Sequence, residues 1–375
     1  MQLAATELTA HERELQGEVR AYLKERLPVG SYKLGLGMSG ASDPQFSRDL
    51  GERGWLGMAL PTEYGGGGRT AVERLVVVEE LLAIGAPVGY HWVGDRQSGP
   101  NIAKNGTEEQ KEWFIPRIVA GELSFAIGMS EPDSGSDLAS LRTRAEKVDN
   151  GWRINGTKIW TSGAYDATHL IALFRTSEHK HEGLTQFIVD RHVEGLSVNR
   201  IPFIDGTRHF CELSFEDVIL PDAALLGPVG GGWGQNTAEL VLERGGVDRW
   251  ISVMPLLEHW AASELVKNPR GSEDLGAITA RCWAFRGMSL SVARMVDDGQ
   301  SPATEAALIK EMATRFEQEC VDIIARHYGR APDPSSEDQY ERLLAEAILV
   351  SPSWSIRGGT NEILRTVISK GLAKR

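Results

Sequence analysis

A chain of 375 residues with 41% hydrophobic content can bury a large core and, at ordinary domain sizes, divides into two or three domains. Its formal net charge of -12 argues against a nucleic-acid role, because such binding rests on concentrated Lys and Arg that neutralise phosphates. Three cysteines, Cys211, Cys282 and Cys320, are too few to staple the chain and too far apart for a zinc knuckle, so reduced thiols are expected.

Met1 to Gln16 carries His11, Glu12, Arg13 and Glu14 where a signal sequence needs an apolar core. No later stretch approaches the roughly 20 apolar residues of a membrane span. A cytoplasmic protein without a membrane span is expected. His179 and His181 lie in a polar loop with no third ligand in view, so no metal site is expected.

A helical period runs from Leu8 to about Leu27, Pro28 to Ser42 reads as a Gly-rich loop, and a second helix spans Pro44 to Arg53. Gly65 to Gly68 lacks the Lys-Ser/Thr ending of a phosphate loop and reads as a plain loop. A helix follows from about Ala71 to Ile84. Thr107 and Gln110 are spaced to satisfy each other's free amides at the start of a helix that runs to about Val119, with Gly121 as its stop.

After Glu122 the texture turns to short β-branched and aromatic runs: Trp152 to Trp160, His169 to Arg175, Leu184 to Asp190, Leu196 to Pro202 and Phe210 to Leu220. From Gly234 long helical periods return, over Asn236 to about Trp260, Leu275 to Val296, Ser301 to Tyr328 and Gln339 to Leu349. The order is helical, sheet, helical: an α+β multidomain chain with segments 1–121, 122–230 and 231–375.

Four segments carry chemistry. Met129-Ser-Glu-Pro-Asp-Ser-Gly-Ser-Asp137 turns through Pro132 and Gly135 and presents small hydroxyls. Asn155-Gly-Thr-Lys-Ile-Trp-Thr-Ser-Gly-Ala164 opens on a dipeptide that favours a hairpin turn. On a regular strand its Trp160 and Ser162 share a face. That geometry suits a flavin, with the indole against the ring system and the hydroxyl near the hydride-accepting nitrogen; the ordinary alternative is a core Trp beside a surface Ser. The third segment, Leu226-Gly-Pro-Val-Gly-Gly-Gly-Trp233, opens the helix that carries Leu240-Val-Leu-Glu-Arg-Gly-Gly246. The fourth is Ile356-Arg-Gly-Gly-Thr-Asn-Glu-Ile363.

In these motifs and their order the chain resembles the acyl-CoA dehydrogenase family over essentially its whole length. The resemblance implies an N-terminal helical domain, a middle β-barrel domain and a C-terminal four-helix bundle, with FAD between them. It implies that Met129, Ser130, Ser136, Trp160 and Ser162, with Thr360 and Glu362 of the terminal motif, fall at flavin-contacting or thioester-adjacent positions. The acidic total leaves room for a local basic patch that meets a CoA phosphate.

Dehydrogenation needs a carboxylate to remove a weakly acidic α-proton and a polarised thioester carbonyl. Many family members carry that glutamate immediately before the Gly-Thr pair of the terminal motif; here Gly358 stands there, followed by Gly359 and Thr360. A minority carries it on the helix after the Gly-Trp loop, which matches Glu243. Glu243 is therefore the expected base, with Arg244 shaping the adjacent loop and the Gly358 amide polarising the thioester oxygen. The ordinary alternative is a surface Glu beside a surface Arg.

The family's Arg-x-x-Phe-Gly stretch is missing from Lys267 to Ala280, and its Gly-Gly-x-Gly-Tyr segment is replaced after Cys320 by Ile324-Ala-Arg-His-Tyr-Gly-Arg330. Both belong to the half of the FAD site that one subunit lends another. The pattern is similar to that of the heteromeric enzymes of actinobacterial steroid side-chain degradation. It implies a paired subunit in an α2β2 assembly, a homo-oligomer being the rival, and an electron-transfer flavoprotein as acceptor. Gly245 and Gly246, read as space beside the base, and the His91 to Gln97 segment hint at a bulky acyl group; helix packing and an ordinary loop are the alternatives. Rival functions are an oxygen-using oxidase and a non-catalytic supporting subunit.

Overall fold

The computed structural model describes residues 3–37 and 41–373. They gather into two compact units, one of Met1–Ala41, Thr70–Val88 and Val241–Arg375, the other of Ser42–Arg69 and Gly89–Leu240.

The second unit is built on an eight-stranded mixed sheet. Its strands are β1 (Phe125–Gly128), β2 (Arg144–Val148), β3 (Gly151–Ser162), β4 (His169–Arg175), β5 (Leu184–Asp190), β6 (Leu196–Ile201), β7 (Phe210–Leu220) and β8 (Leu225–Leu226). They are ordered β6-β7-β3-β2-β4-β5-β8, with β1 parallel to β4. Alternation drives one face inward: Trp152, Ile154, Phe174, Phe187, Leu213 and Phe215 share one buried cluster. A second cluster, with Ile102, Ile115, Ile118, Phe125, Ile171 and Ile188, seats α4 (Gly99–Asn105) and α5 (Glu108–Val119) on the sheet. At the start of α5 the expected cap forms, and Gln110 does a second job by donating to the carbonyls of Ala223 and Leu225, both at 2.8 Å. The short helix α2 (Pro44–Glu52) belongs to the same unit.

The first unit is helical: α1 (Ala10–Arg26), α3 (Ala71–Ala83), α7 (Met254–Ala262), α8 (Pro269–Asp297), α9 (Ala303–Tyr328), α10 (Gln339–Val350) and α11 (Asn361–Ala373). Buried carboxylates of the early helices meet arginines: Glu80 pairs with Arg20 at 2.7 Å, Glu79 with Arg286 at 2.7 Å and Glu12 with Arg294 at 2.6 Å. The last two tie α3 and α1 to α8. The chain crosses between units inside α6 (Gly232–Arg244).

Three expectations need correction. Asn236 to Trp260 is not one helix: α6 ends at Arg244, a 3-10 turn spans Val247–Arg249, and α7 starts at Met254. The break follows from two glycines and then a proline at the start of α7. Asn155-Gly156 is not a hairpin turn: it lies inside β3 at a register shift against β7, with Gly156 at φ +138 and no room for a β-carbon, which would lie 2.8 Å from Thr143. The hairpin turn is Asp149-Asn150, between the paired Val148 and Gly151. His91 to Gln97 is not an ordinary loop, since the chain is helical there and carries a π turn at Gly94–Ser98.

Candidate active site

In the sheet unit, the Met129 to Asp137 loop leaves β1 and is fastened to β3. Ile159 donates its amide to the Ser130 carbonyl at 2.9 Å, and Lys158 donates to the Met129 carbonyl at 3.1 Å and to Glu131 at 2.8 Å. Glu131 also accepts from the amides of Arg142 at 2.6 Å and Thr143 at 2.9 Å. Lys158 is fully buried and Glu131 nearly so. Burial pushes Lys158 down to about 8 against the pull of Glu131. Burial opposes ionisation of Glu131 too, but Lys158 and the amides outweigh it and hold the carboxyl below its ordinary range. Two motifs some thirty residues apart are thus locked together by a buried ion pair. Sequence reasoning missed its role; the signal was a Lys and a Glu inside the two quoted motifs.

Next to the lock on β3 stands a half-bare indole. Trp160 is 54% exposed and sits at φ +60, a left-handed conformation that a tryptophan rarely adopts. The register of β3 shifts between Lys158 and Thr161, so the regular alternation expected to set Trp160 and Ser162 on one face does not hold through the bulge. Both nonetheless flank Thr161, which takes the buried position, while Ser162 is half-buried. Phe210 meets the indole edge-on at 6.2 Å between centroids. Ser130 is half-buried, Ser136 is exposed, and Met129 packs beside Leu141, Leu173 and Leu184. A strained, exposed aromatic plane, with Ser162 two positions on and the Ser130 carbonyl bonded to the residue before it, suits a flavin ring. The Gly-Trp loop is ordered in the same unit: Trp233 stacks on His181 at 4.7 Å and Gly230 donates to Thr185 at 2.9 Å.

In the helical unit, the end of α6 and the terminal motif come together although they are far apart in sequence. Arg244, 8% exposed, donates from Nε to the Gly358 carbonyl at 3.1 Å. Lys310, fully buried on α9, donates to the carbonyls of Ser355 at 2.9 Å and Gly359 at 2.8 Å and to Asn361 Oδ1 at 2.8 Å. Arg357 meets Glu317 at 2.5 Å, and Ser252 donates its amide to the other Glu317 oxygen at 2.8 Å. Burial pushes Glu317 up to about 7 against the pull of Arg357. Gly358 and Gly359 take φ +65 and +93, which glycine adopts at least cost. Because peptides are planar and trans, pinning the Gly358 and Gly359 carbonyls fixes the planes of the two peptides that follow them, with the amides of Gly359 and Thr360. Neither Lys310 nor Glu317 was singled out from sequence, since each is one polar residue in a long helical period.

Thr360 ends this turn by accepting the Ile363 amide at 3.3 Å, which makes it the cap of α11. Glu362 lies exposed in the first turn of that helix. Glu243 occupies the penultimate position of α6; its side chain lies outside the described residues. The surface-pair alternative fails for its neighbour, because Arg244 is buried and bonded to the terminal motif. The expectation of space at Gly245 is also overturned: a β-carbon there would lie 2.6 Å from Val292 and 3.3 Å from Ala306, so this glycine lets helices approach.

Residues 9–122, 126–218 and 258–373 match the N-terminal, middle and C-terminal domains of acyl-CoA dehydrogenases, in that order. The acyl-CoA dehydrogenase FadE29 of Mycobacterium tuberculosis is 31% identical over 97% of this chain and 96% of its own. The mitochondrial isovaleryl-CoA dehydrogenase of Pongo abelii is 29% identical over 97% of this chain and 89% of its own. Among solved structures, the Tcur3481-Tcur3483 steroid ACAD superposes with a TM-score of 0.88 at 29% identity, covering 100% of this chain and 99% of that one. The ChsE4-ChsE5 complex from Mycobacterium tuberculosis gives 0.81 at 28%, covering 97% of each. The chain belongs to the acyl-CoA dehydrogenase family, whose cofactor is FAD and whose reaction is the oxidation of an acyl-CoA.

Proposed function

We propose that this chain converts a bulky or branched acyl-CoA, of which a steroid side chain is the leading example, to the trans-2-enoyl-CoA, with Glu243 as the base. The observation that carries this reading is the bond from Arg244 to the Gly358 carbonyl, which holds the end of α6 against the terminal motif. Glu243 takes the α-proton, and the Gly358 amide, in a turn whose neighbouring carbonyls are already spent on Arg244 and Lys310, polarises the thioester oxygen. Met129, Ser130, Ser136, Trp160 and Ser162 hold the flavin, joined by Thr360 and Glu362. FAD, when bound, supplies the acceptor for the β-hydride. The segments 1–121, 122–230 and 231–375 serve as the three domains.

The likeness to a steroid ACAD supports the acyl class. The likeness to a two-protein complex, together with the two missing FAD-site stretches, supports a paired subunit in an α2β2 assembly. An electron-transfer flavoprotein reoxidises the FAD, and the setting is cytoplasmic; no helix among the described residues is long and apolar enough to cross a membrane. The test is anaerobic flavin bleaching by steroid-side-chain and branched acyl-CoAs, for the chain alone and co-expressed with its genomic neighbour. Bleaching that needs the neighbour, with one FAD per two chains, is the expected result. No bleaching in any pairing would leave a supporting subunit, and rapid peroxide formation would mean an oxidase.

A further inference from the structure

Arg244 and Lys310 hold the terminal turn from Gly358 onward. Arg244 binds the Gly358 carbonyl, in the peptide leading to Gly359, and Lys310 binds the Gly359 carbonyl, in the peptide leading to Thr360. Neither bond reaches the peptide between Arg357 and Gly358, and that is the peptide whose plane aims the Gly358 amide. The side chain that anchors it is Arg357.

Arg357 makes its hydrogen bonds through one nitrogen. Nη2 donates to Glu317 at 2.5 Å and to the Ser252 hydroxyl at 3.0 Å, while the Ser252 amide donates to the other Glu317 oxygen at 2.8 Å. The remaining guanidinium nitrogens, Nε and Nη1, are buried with no hydrogen-bond partner among the described residues. Glu317 is fully buried on α9, so the charge of this one carboxylate decides how firmly Arg357 is held.

Besides Arg357, the groups that face Glu317 among the described residues are Asp248 on the 3-10 turn before α7 and the thiols of Cys282 on α8 and Cys320 on α9. Asp248 is paired with Arg249 at 3.0 Å. Burial pushes the Cys282 thiol up to about 11 and raises that of Cys320 as well, so both stay protonated near neutral pH. Asp248 opposes ionisation of Glu317, and Arg357 favours it. Because Arg357 favours the ionised carboxylate, protonation of Glu317 weakens the seat of Arg357 by the same free energy.

From this placement we infer that Arg357 and Glu317 are positioning residues for the Gly358 amide, and that a solvent proton taken up by Glu317 loosens the turn and slows the reaction. The inference rests on the reading above in which that amide polarises the thioester oxygen, and it names the residues that aim it. Burial, opposed by Arg357, sets the exchange near pH 7.

The test uses the full chain carrying FAD and any subunit it requires. Hydrogen exchange of the Gly358 to Thr360 amides, corrected for the intrinsic rate at each pH, reads the turn without turnover. Single-turnover bleaching at saturating acyl-CoA, from about pH 5.5 to 8.5, reads the reaction. In the wild type, exchange should be about five- to tenfold faster at the acid end of this range, and bleaching should rise with pH through about 7. Glu317→Gln should lose both pH dependences and, at the alkaline end, bleach about 10- to 100-fold more slowly than the wild type, while thioester binding stays within about threefold. Arg357→Lys should keep the pH dependence and most of the rate. Glu317→Gln combined with Arg357→Gln should lose no more than Arg357→Gln alone, because the two side chains act as one unit. An acid limb of bleaching that survives in Glu317→Gln, or wild-type exchange that ignores pH, would overturn the inference. So would a Glu317→Gln protein that is less stable but keeps the wild-type rate and profile. If the protein bleaches with no acyl-CoA, the dehydrogenase reading fails by itself, and the exchange measurement still decides whether the pair positions the turn.

Discussion

Trp160 is held at φ +60 with more than half of its surface bare, a conformation that costs about 1–3 kcal/mol and persists where a site needs it. Trp160→Ala should change the unfolding midpoint of the apoprotein little, because little packing is lost. FAD affinity should fall roughly 2- to 10-fold, the worth of one aromatic contact, read by flavin titration. Lys158 and Glu131 show the opposite economy. Lys158→Met leaves a buried carboxylate without its partner and should cost about 3–5 kcal/mol in urea unfolding, whereas Glu131→Gln combined with Lys158→Met should recover much of that loss. Glu317 gives a pH signature. Its folded pKa is raised to about 7, so between the unfolded value near 4.5 and 7 the folded state binds more protons and this group's contribution to stability falls as pH rises. The stability difference between wild type and Glu317→Gln should therefore shrink from pH 4.5 to pH 7 and level off above; a difference that grows over that window would contradict the assignment.

At the scale of elements, the terminal turn is a backbone device held by side chains from two other helices. Gly359→Ala forces φ +93 on a residue with a β-carbon, which would lie 3.2 Å from Arg244. It should cost about 1–2 kcal/mol and slow turnover, measured by unfolding and by single-turnover bleaching. Gly245→Ala, pressing on Val292, should cost about 1–3 kcal/mol through overpacking. Elements of this kind divided sharply in how legible they were. β4 and β5 were readable to the residue because apolar runs end on polar residues, and β7 because apolar and polar residues alternate from Phe210. α5 was readable from the Thr107–Gln110 pair. β1 and β2 were missed: one is four residues long and the other carries three charges in five. The break between α6 and α7 was missed because the apolar period resumes in phase beyond the glycines. Asn155-Gly156 misled because its turn chemistry was used for a bulge inside a long strand.

At the scale of the molecule, the motifs resolve into two assemblies, each inside one compact unit: Met129 to Asp137 with Trp160 and Ser162 in the sheet unit, and Arg244 with Gly358 in the helical unit. The candidate site residues were legible because family motifs mark them. Lys158, Lys310 and Glu317, which hold those motifs in place, were not, since only the fold reveals that they are buried. The two absent FAD-site stretches belong to this scale as well. A chain purified alone should carry less than one FAD, with the 450 nm absorbance per chain approaching one FAD per two chains on co-expression with the partner. The most direct measurement is the anaerobic bleaching rate of Glu243→Gln with an acyl-CoA that bleaches the wild type. The account predicts that the variant still binds the thioester and perturbs the flavin spectrum, but bleaches about 10²- to 10⁴-fold more slowly; bleaching at the wild-type rate would contradict it.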